Sequence, residues 1–426
     1  MKLEKIELFS TKREFFLFLS LCGFILIYAL LIEYNNYKNL TQFDSNIVTA
    51  TVIKQYPKTK ITKKGKRKTY QVLKLKSPHG FSFYTTAKNS IPNLKNKKVK
   101  LEIWAGKISF YDYMTSFYAY SKILYIYKRP TLKQKLNRYI ESQHTNKNID
   151  EIYQALYTAT TLNKNLQNKL SSLGISHLIA ISGFHLGVLS FILFFLLKYP
   201  YKFLQNRYFP YRSYAIDSFI IISFILFGYL VFLDYPPSLI RAFFMLIIAF
   251  ILYDRGIKVL SMQTLFLTII LLLSFEPRLF FQLGFWLSVS GVFYIFLFII
   301  HFSHLHKIWQ FILIPIWVYL LMLPFSLTIF SNFSIYHPFS ILWTSLFTLF
   351  YPISILLHIF GFGNFFDSNL EYLLSLNINN SKITLNIMWL IIEILLSFLA
   401  LFKKNFIWLL LLFSFYIFIY SIYYVT

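Results

Sequence analysis

The stretch GISHLIAISGFHLGVLSFILFF, from Gly174 to Phe195, decides the fold class. Its apolar half is long enough for a helix that crosses a bilayer, and His177, Ser182, Gly183 and His185 stand before or within its first turns. Polar side chains are costly in hydrocarbon unless they face protein or a water-filled path. A simple lipid anchor does not need them, so this stretch predicts a functional site within a membrane bundle.

The composition also indicates a membrane protein. The 426 residues are 57% hydrophobic and 21% aromatic but only 14% charged, which excludes an ordinary soluble globule. Beyond residue 174, apolar runs follow one another with short polar gaps, and with the run near residues 15–32 they predict about ten transmembrane helices. The predicted fold class is therefore a polytopic α-helical membrane protein with a small extramembrane β-barrel.

The first 32 residues predict the orientation. They combine a basic N-terminus with an apolar run, and no small-residue cleavage pattern follows, so they are expected to form a cytoplasmic segment and a retained anchor. Residues 33–130 then lie on the periplasmic side of a bacterial inner membrane. Their many lysines do not oppose this, because long segments translocate largely regardless of charge.

Short strands are predicted in residues 33–130. Apolar side chains alternate there in four segments, which are Val48/Ala50/Val52, Tyr70/Val72, Phe81/Phe83 and Val99/Leu101/Ile103. Such strands with turn residues between them predict an OB-like barrel. Residues 131–173 have helical apolar spacing and form an amphipathic lead-in to the polytopic domain, residues 174–426.

The charge predicts an anionic partner. Most of the formal net charge of +25 lies in the first 170 residues, and the loop KTKITKKGKRK, residues 58–68, is the most basic stretch. Aromatic residues beside such a loop can stack on unpaired bases. Anionic lipid contact and a solvated loop above core aromatics are the alternatives, and an AT-rich genome explains part of the lysine excess. The candidate DNA-binding residues are Lys63, Lys64, Lys66, Arg67, Tyr70, Phe83 and Tyr84.

Four sequence blocks together resemble the ComEC family of competence proteins. They are HLIAISGFHLGV in the opening stretch, PPSLIRAFFM from Pro236, EPRLFFQLGFWLSVSGV from Glu276 and LPFSLTIFSNFSIYHP from Leu323. The resemblance implies an inner-membrane channel for single-stranded transforming DNA. It also implies a periplasmic DNA-delivery protein, a cytoplasmic helicase or translocase, single-strand-binding proteins and membrane lipid as partners, and a homo-oligomer as a further possibility.

The chain departs from the family pattern in two places. Many members continue into a metallo-β-lactamase-like domain, so a short form without that domain is expected here. Trp343 and Thr344 stand where the family tends to have an asparagine. The predicted channel and motif residues are His177, Ser182, Gly183, His185, Gly187, Ser238, Arg241, Gln282, Gly284 and Ser288.

Some of these residues have physical readings of their own. The spacing of Gly183 and Gly187 allows two helix backbones to approach. If His177 and His185 share one helix, they lie roughly 80° apart around it, which disfavours a shared metal. Arg241 either snorkels to the interface or faces the bundle interior. Gln282, Gly284 and Ser288 predict a close-packed and partly polar helix.

Motifs for chemistry are not found in the sequence. It has no HExxH, no Walker A loop and no evident Ser/His/Asp set, so no catalytic residue, metal or cofactor is predicted and the protein is expected not to be an enzyme. Two alternatives to a DNA channel stay open. One is a secondary transporter of a lipid or other amphipathic anion, and the other is an intramembrane hydrolase that uses His177 or His185.

Overall fold

The computed structural model describes residues 9, 11–61, 67–127, 129–256, 261–376 and 381–425. The first helix, α1, spans Lys12–Thr41 and begins where the side chain of Thr11 accepts a hydrogen bond from the backbone of Glu14. It continues well past residue 32. Its last turns lie beyond the apolar run, and Leu40 in them is buried in the core of the following sheet.

A curled six-stranded sheet follows α1. Its strands are β1 (Asn46–Ile61), β2 (Arg67–Lys76), β3 (Ser82–Ala87), β4 (Lys98–Trp104), β5 (Phe117–Tyr118) and β6 (Tyr120–Ile126), with α2 (Phe110–Met114) between β4 and β5. The strand order is β5-β3-β2-β1-β4-β6. A hydrogen bond of 2.7 Å between the Thr85 and Ser121 hydroxyls joins β3 to β6, so the two ends of the sheet come together.

The predicted alternation holds on most strands. Ala50, Val52 and the series Val99/Leu101/Ile103 are buried in the sheet core, as expected. On β2 the core is filled by Leu73 and Leu75, so the predicted pair Tyr70/Val72 does not line it: Val72 is buried, at 8% exposed, but on the opposite face, and Tyr70 is half-buried. Apolar residues occur at both odd-numbered and even-numbered positions of β2, so alternation alone could not show which set faces the core.

Four short helices follow the sheet, and the first three of them form the lead-in. They are α3 (Leu132–Glu141), α4 (Lys147–Thr158), α5 (Lys164–Ser172) and α6 (Ser176–Ile179). The first three begin at side-chain caps from Thr131, Asn146 and Asn163, residues that suit that position. Their apolar sides share a core with Phe347 and Tyr351 of a later helix. The lead-in is therefore packed onto the membrane bundle.

Apolar helices make up the rest of the chain. They are α7 (Gly183–Tyr208), α8 (Tyr214–Phe232), α9 (Pro237–Asp254), α10 (Met262–Phe275), α11 (Leu283–Phe302), α12 (Lys307–Phe330), α13 (Ser340–Ile359), α15 (Ile387–Phe402) and α16 (Asn405–Val425), with the short polar α14 (Asp367–Ser375) after α13. By length and composition, eight described helices could cross a membrane: α1, α7, α8, α9, α11, α12, α13 and α16. The apolar helices α10 and α15 are shorter.

Three one-turn 3₁₀ helices and a small ribbon connect these elements. The 3₁₀ helices are Pro277–Phe281, His337–Phe339 and Gly363–Phe366. The ribbon pairs β7 (Asn332–Phe333) with β8 (Ser381–Lys382) in antiparallel register. The chain therefore returns to the end of α12 after α13 and α14, and these two helices form an excursion that starts and ends at the ribbon.

Two contacts, one of them buried, fix the sheet on the bundle. The Arg278 guanidinium forms a bidentate ion pair with Glu33 of α1, at 2.7 and 2.8 Å, and lies over the ring of Tyr113, whose pKa burial raises to about 12. Lys76 donates a 2.7 Å hydrogen bond to the Asp234 carbonyl in the turn between α8 and α9. The sheet therefore sits at the end of the bundle where α1 leaves it.

Candidate functional site

The signature stretch contains a break between two helices. The helix α6 ends at Ile179, and α7 begins at Gly183 with Ser182 as its cap. His177 and His185 therefore lie on different helices, and the predicted angle of 80° between them on one helix is wrong. An unbroken apolar pattern hides a short interruption of this kind, because residues 180–182 are not strong helix breakers in sequence.

His185 is completely buried at the start of α7. Its Nδ1 accepts a 3.2 Å hydrogen bond from the backbone N–H of Ser182, so its proton resides on Nε2. That Nε2–H has no hydrogen-bond acceptor among the described residues. The ring packs edge-on against Tyr351, with centroids 4.6 Å apart, and against Phe347. The imidazole is a buried donor with unused hydrogen-bonding capacity.

Gly183 lies where α7 and α9 approach each other closely. A Cβ atom added to Gly183 would lie 2.9 Å from the Ala242 side chain and 3.4 Å from the guanidinium of Arg241. The predicted helix contact is thus present at this glycine. It is absent at Gly187, where an added Cβ meets no described atom within 4 Å.

Arg241 faces the bundle interior, and the snorkelling alternative is wrong. Its side chain is 5% exposed, donates to the Ser288 hydroxyl of α11 and donates a 2.8 Å hydrogen bond to the Met245 sulfur. Its Nε has no partner, and in the described ranges no ion pair to a carboxylate is found for it. A buried arginine without a counter-charge is costly, which makes it a candidate for binding an anion.

The predicted residues thus separate into two groups. Gly183, Ser238, Arg241 and Ser288 lie where α7, α9 and α11 converge. Ser182 and His185 begin α7 beside them, although the His185 ring itself packs against α13. These six residues are called the signature cluster below. Ser238 ties α9 to the chain before α7 by donating a 2.9 Å hydrogen bond to the Ile181 carbonyl. His177 lies outside the cluster, with its Nε2 3.4 Å from the Thr344 hydroxyl.

The remaining two predicted residues are not in a close-packed region. Gln282 is the residue that precedes α11, and Gly284 is exposed with open space around it. The prediction of a close-packed helix is therefore wrong at Gly284, whereas Gln282 is half-buried. Of Gln282, Gly284 and Ser288, only Ser288 makes the expected contact between helices, with a residue far away in sequence.

A second candidate site covers the outer face of β1, β2 and β3. The pairing register places alternate residues of these strands on the side opposite the core. Their side chains are mainly lysine and tyrosine, and no aspartate or glutamate occurs in the three strands. The lysines and tyrosines of this surface are Lys54, Tyr56, Lys58, Lys60, Lys68, Tyr70, Lys74, Lys76 and Tyr84, with Tyr118 beside Tyr84 on β5, and the surface is called the lysine–tyrosine face below. Val72, which pairs with Tyr56, and Thr86, which pairs with Val72, lie on the same side.

The geometry of this face changes the predicted set of stacking residues. Tyr84 lies on it, half-buried, with the Lys74 ammonium 5.2 Å from its ring centroid, and Tyr70 pairs with Lys58 across the hairpin. Phe83 is completely buried and stacks on Phe117, so its predicted contact with bases is wrong. Arg67 is exposed at the start of β2. The other three predicted residues, Lys63, Lys64 and Lys66, lie outside the described residues.

Two buried polar clusters were not predicted from the sequence. Glu393 is fully buried between α15 and α16, where the Ser414 hydroxyl donates to its carboxyl oxygens at 3.1 and 3.2 Å. A single acid in an apolar run was a usable signal for it. His144 and His358 lie 214 residues apart in sequence and meet at 3.0 Å, which no local pattern could indicate.

The fold and the clusters define a multi-pass membrane protein with an extramembrane sheet. The model of the family described as Competence protein matches residues 158–426, well over half of the chain. The chain therefore belongs to the competence protein family, and it is a multi-pass protein of the inner membrane. No curated protein and no solved structure matches the chain.

Proposed function

We propose that the protein is an inner-membrane channel that passes single-stranded DNA into the cytoplasm, and that DNA first contacts the lysine–tyrosine face. The observation that carries the proposal is the interleaving of lysine and tyrosine on that face without any acidic residue in its three strands. Lysines follow a phosphate backbone, and exposed aromatic rings stack on bases with little sequence preference.

The strand arrangement supports the same role. The strands β1, β2 and β3 form a meander, β1 also pairs with β4, and β6 joins β4 to the β3 end of the sheet. We assign this arrangement to OB-like barrels, a class that binds oligonucleotides. The ion pair of Glu33 with Arg278 then holds the barrel against the bundle.

The signature cluster supplies a feature suited to the membrane path. Arg241 and His185 present buried N–H donors that no described side chain satisfies. A phosphate is the anion of DNA that accepts such hydrogen bonds. The inferred partners are a periplasmic protein that delivers DNA, and a cytoplasmic helicase or translocase with single-strand-binding proteins. Membrane lipid surrounds the bundle, and a second copy of the chain is a further partner. The proposed role is transport rather than enzymatic catalysis, and it needs no cofactor.

The test measures binding of an unstructured oligonucleotide to the full-length protein in nanodiscs of uncharged lipid. For single strands, each phosphate contact contributes about 0.7 to the log–log salt slope, so five lost contacts reduce it by about 3.5. We expect a reduction of this size when glutamine replaces five lysines of the face, namely Lys54, Lys58, Lys60, Lys68 and Lys74.

The control variant carries the same charge change elsewhere on the barrel. It replaces five lysines outside the face with glutamine, namely Lys88, Lys97, Lys98, Lys100 and Lys107, and should retain most of the slope. Equal loss in both variants would show that only net charge matters. Binding to anionic-lipid vesicles with no measurable binding to DNA would instead favour the transporter of amphipathic anions.

A second arm of the test follows DNA entry in cells. Arg241→Gln should stop entry into the cytoplasm, while the protein inserts at normal abundance and DNA still reaches the periplasm. Normal transformation by this variant would remove Arg241 from the proposed path.

A further inference from the structure

Three ionisable side chains cluster where the lead-in meets the end of α13, away from the signature cluster. His144 lies between α3 and α4, His358 lies in the last turn of α13, and Asp367 is the first residue of α14. The His144 side chain is fully buried, and His358 is 5% exposed. Buried imidazoles must satisfy their nitrogens within the protein, so their hydrogen bonds reveal where protons are.

The outer nitrogen of each ring faces an oxygen atom of the protein. His144 Nδ1 lies 2.9 Å from an Asp367 carboxylate oxygen, and His358 Nδ1 lies 2.7 Å from the Ser354 carbonyl oxygen. A carbonyl oxygen has no proton to give, so His358 Nδ1 carries one. Tyr157 agrees with this, because its hydroxyl donates to the Ser354 hydroxyl at 2.8 Å and can accept from His358 Nδ1 at 3.2 Å.

The two inner nitrogens face each other. His144 Nε2 and His358 Nε2 are 3.0 Å apart, which is hydrogen-bonding distance. If both rings were neutral with Nδ1 protonated, two lone pairs would oppose each other in a buried site. The three contacts, Asp367 to His144, His144 to His358 and His358 to the Ser354 carbonyl, each need one proton between the two atoms. Two neutral histidines and one carboxylate supply only two protons for them. The same count applies if Asp367 is the protonated member.

We propose that His144, His358 and Asp367 bind one additional proton, and that this shared proton clasps the lead-in to the end of α13. The proposal does not rest on the channel carrying DNA. Neighbouring hydrogen bonds join the same parts, since Tyr139 and Gln143 of the lead-in donate to the His358 carbonyl at 2.9 and 3.1 Å. Because the lead-in connects the barrel to α7, the clasp affects how both are held.

Aromatic and acidic groups surround the cluster. Tyr153 of α4 stacks on the His144 ring with centroids 4.6 Å apart, a contact that suits an imidazolium, and Tyr157 of the same helix packs edge-on against His358. Asp150 of α4 interacts electrostatically with His144 and with Glu141 of α3, and Glu371 of α14 accepts a hydrogen bond from Asn146 nearby. Burial raises the pKa of Asp150, so this carboxyl supplies less negative charge to the cluster than a fully ionised one.

Loss of the shared proton would leave the two Nε2 lone pairs opposed at 3.0 Å, so the clasp should loosen when the site deprotonates.

The experiment is ¹⁵N solid-state NMR of the full-length, histidine-labelled protein in liposomes. A ¹⁵N–¹⁵N correlation identifies the two close Nε2 atoms in the wild-type protein. At about pH 6 we expect one imidazolium shared by this pair, and its loss well above neutral pH. His144→Gln and His358→Gln should each abolish that signal, because neither ring holds the shared proton alone. The exposed residue His304 provides the control, and His304→Gln should leave the signal unchanged.

Asp367→Asn adds a graded result. The amide oxygen still accepts from His144 Nδ1 but no longer carries a charge, so the imidazolium should titrate at lower pH than in the wild type. Two neutral rings in the wild-type protein at about pH 6 would overturn the proposal without any variant having to fold. Stoichiometric zinc that both glutamine variants lose would also overturn it, because a metal would then replace the proton.

Discussion

Gly183→Ala tests the closest contact in the signature cluster. The added methyl would lie 2.9 Å from the Ala242 methyl carbon, closer than two carbon atoms normally approach. The helices α7 and α9 must then separate by several tenths of an ångström, and such overpacking costs about 1–3 kcal/mol. The expected result is a lower unfolding temperature and weaker contact between Arg241 and Ser288.

The neighbouring side chain provides a double-mutant cycle. Ala242→Gly alone should cost about 1 kcal/mol, because glycine is a poor helix residue. It also removes the methyl that Gly183→Ala would strike, so the double variant should be about 1–2 kcal/mol more stable than the sum of the single effects. Gly187→Ala is the matched control in the same helix. No described atom lies within 4 Å of its new methyl, so it should be neutral or stabilising by up to about 1 kcal/mol.

Thermal unfolding of the four proteins in one detergent, followed by size-exclusion chromatography of heated samples, measures these differences. The interpretation is refuted if Gly183→Ala is as stable as Gly187→Ala. Strict additivity in the Gly183/Ala242 pair would also refute it, because the two methyl groups would then not be in contact. Transformation frequency in the same strains shows whether the contact matters for uptake as well as for stability.

Two further predictions concern the barrel. Phe83→Ala should destabilise the protein by about 3–5 kcal/mol, because the ring is fully buried. Tyr84→Ala should cost little stability but weaken oligonucleotide binding by about 1–3 kcal/mol at an unchanged salt slope. Thermal unfolding measures the first effect, and salt titrations of binding measure the second. Burial beside Asp234 lowers the pKa of Lys76, so its unfolded form binds more protons and the wild type gains stability as the pH rises toward about 10. In unfolding scans, the stability of wild type relative to Lys76→Met should therefore increase from pH ~7 to ~10, while Lys100→Met, an exposed control, shows no such trend.

The class of fold could be predicted because it depends on local signals. Long apolar runs identify most of the helices, and the series from Val99 to Ile103 identifies a strand by its alternation. Helix ends were harder. The helix α1 continues to Thr41 because a helix can extend from lipid into water without a change in backbone pattern, and hydropathy marks only the part in the membrane.

Choices between two faces could not be made from one strand or helix. Val72 and Leu73 are equally apolar, and only pairing with β1 and β3 determines which of them points to the core. The same holds for Phe83 and Tyr84, where one ring is buried and its neighbour lies on the lysine–tyrosine face. The sequence identifies an aromatic-rich strand, whereas the register decides which aromatic side chain remains available to a ligand.

Polar residues at membrane depth show a related asymmetry. That Glu393 turns away from lipid is predictable from one residue, because an exposed charge in hydrocarbon is costly, whereas Arg241 near the start of its helix could equally have reached the interface. Their partners are not predictable, because Ser288 and Ser414 come from other helices. The two sites also differ in kind. Glu393 accepts hydrogen bonds from its neighbours and can remain neutral by keeping a proton, whereas an arginine stays charged. Among buried polar groups of the described bundle, Arg241 therefore has the stronger need for an external anion, and this difference favours the signature cluster over the Glu393 site as part of the transport path.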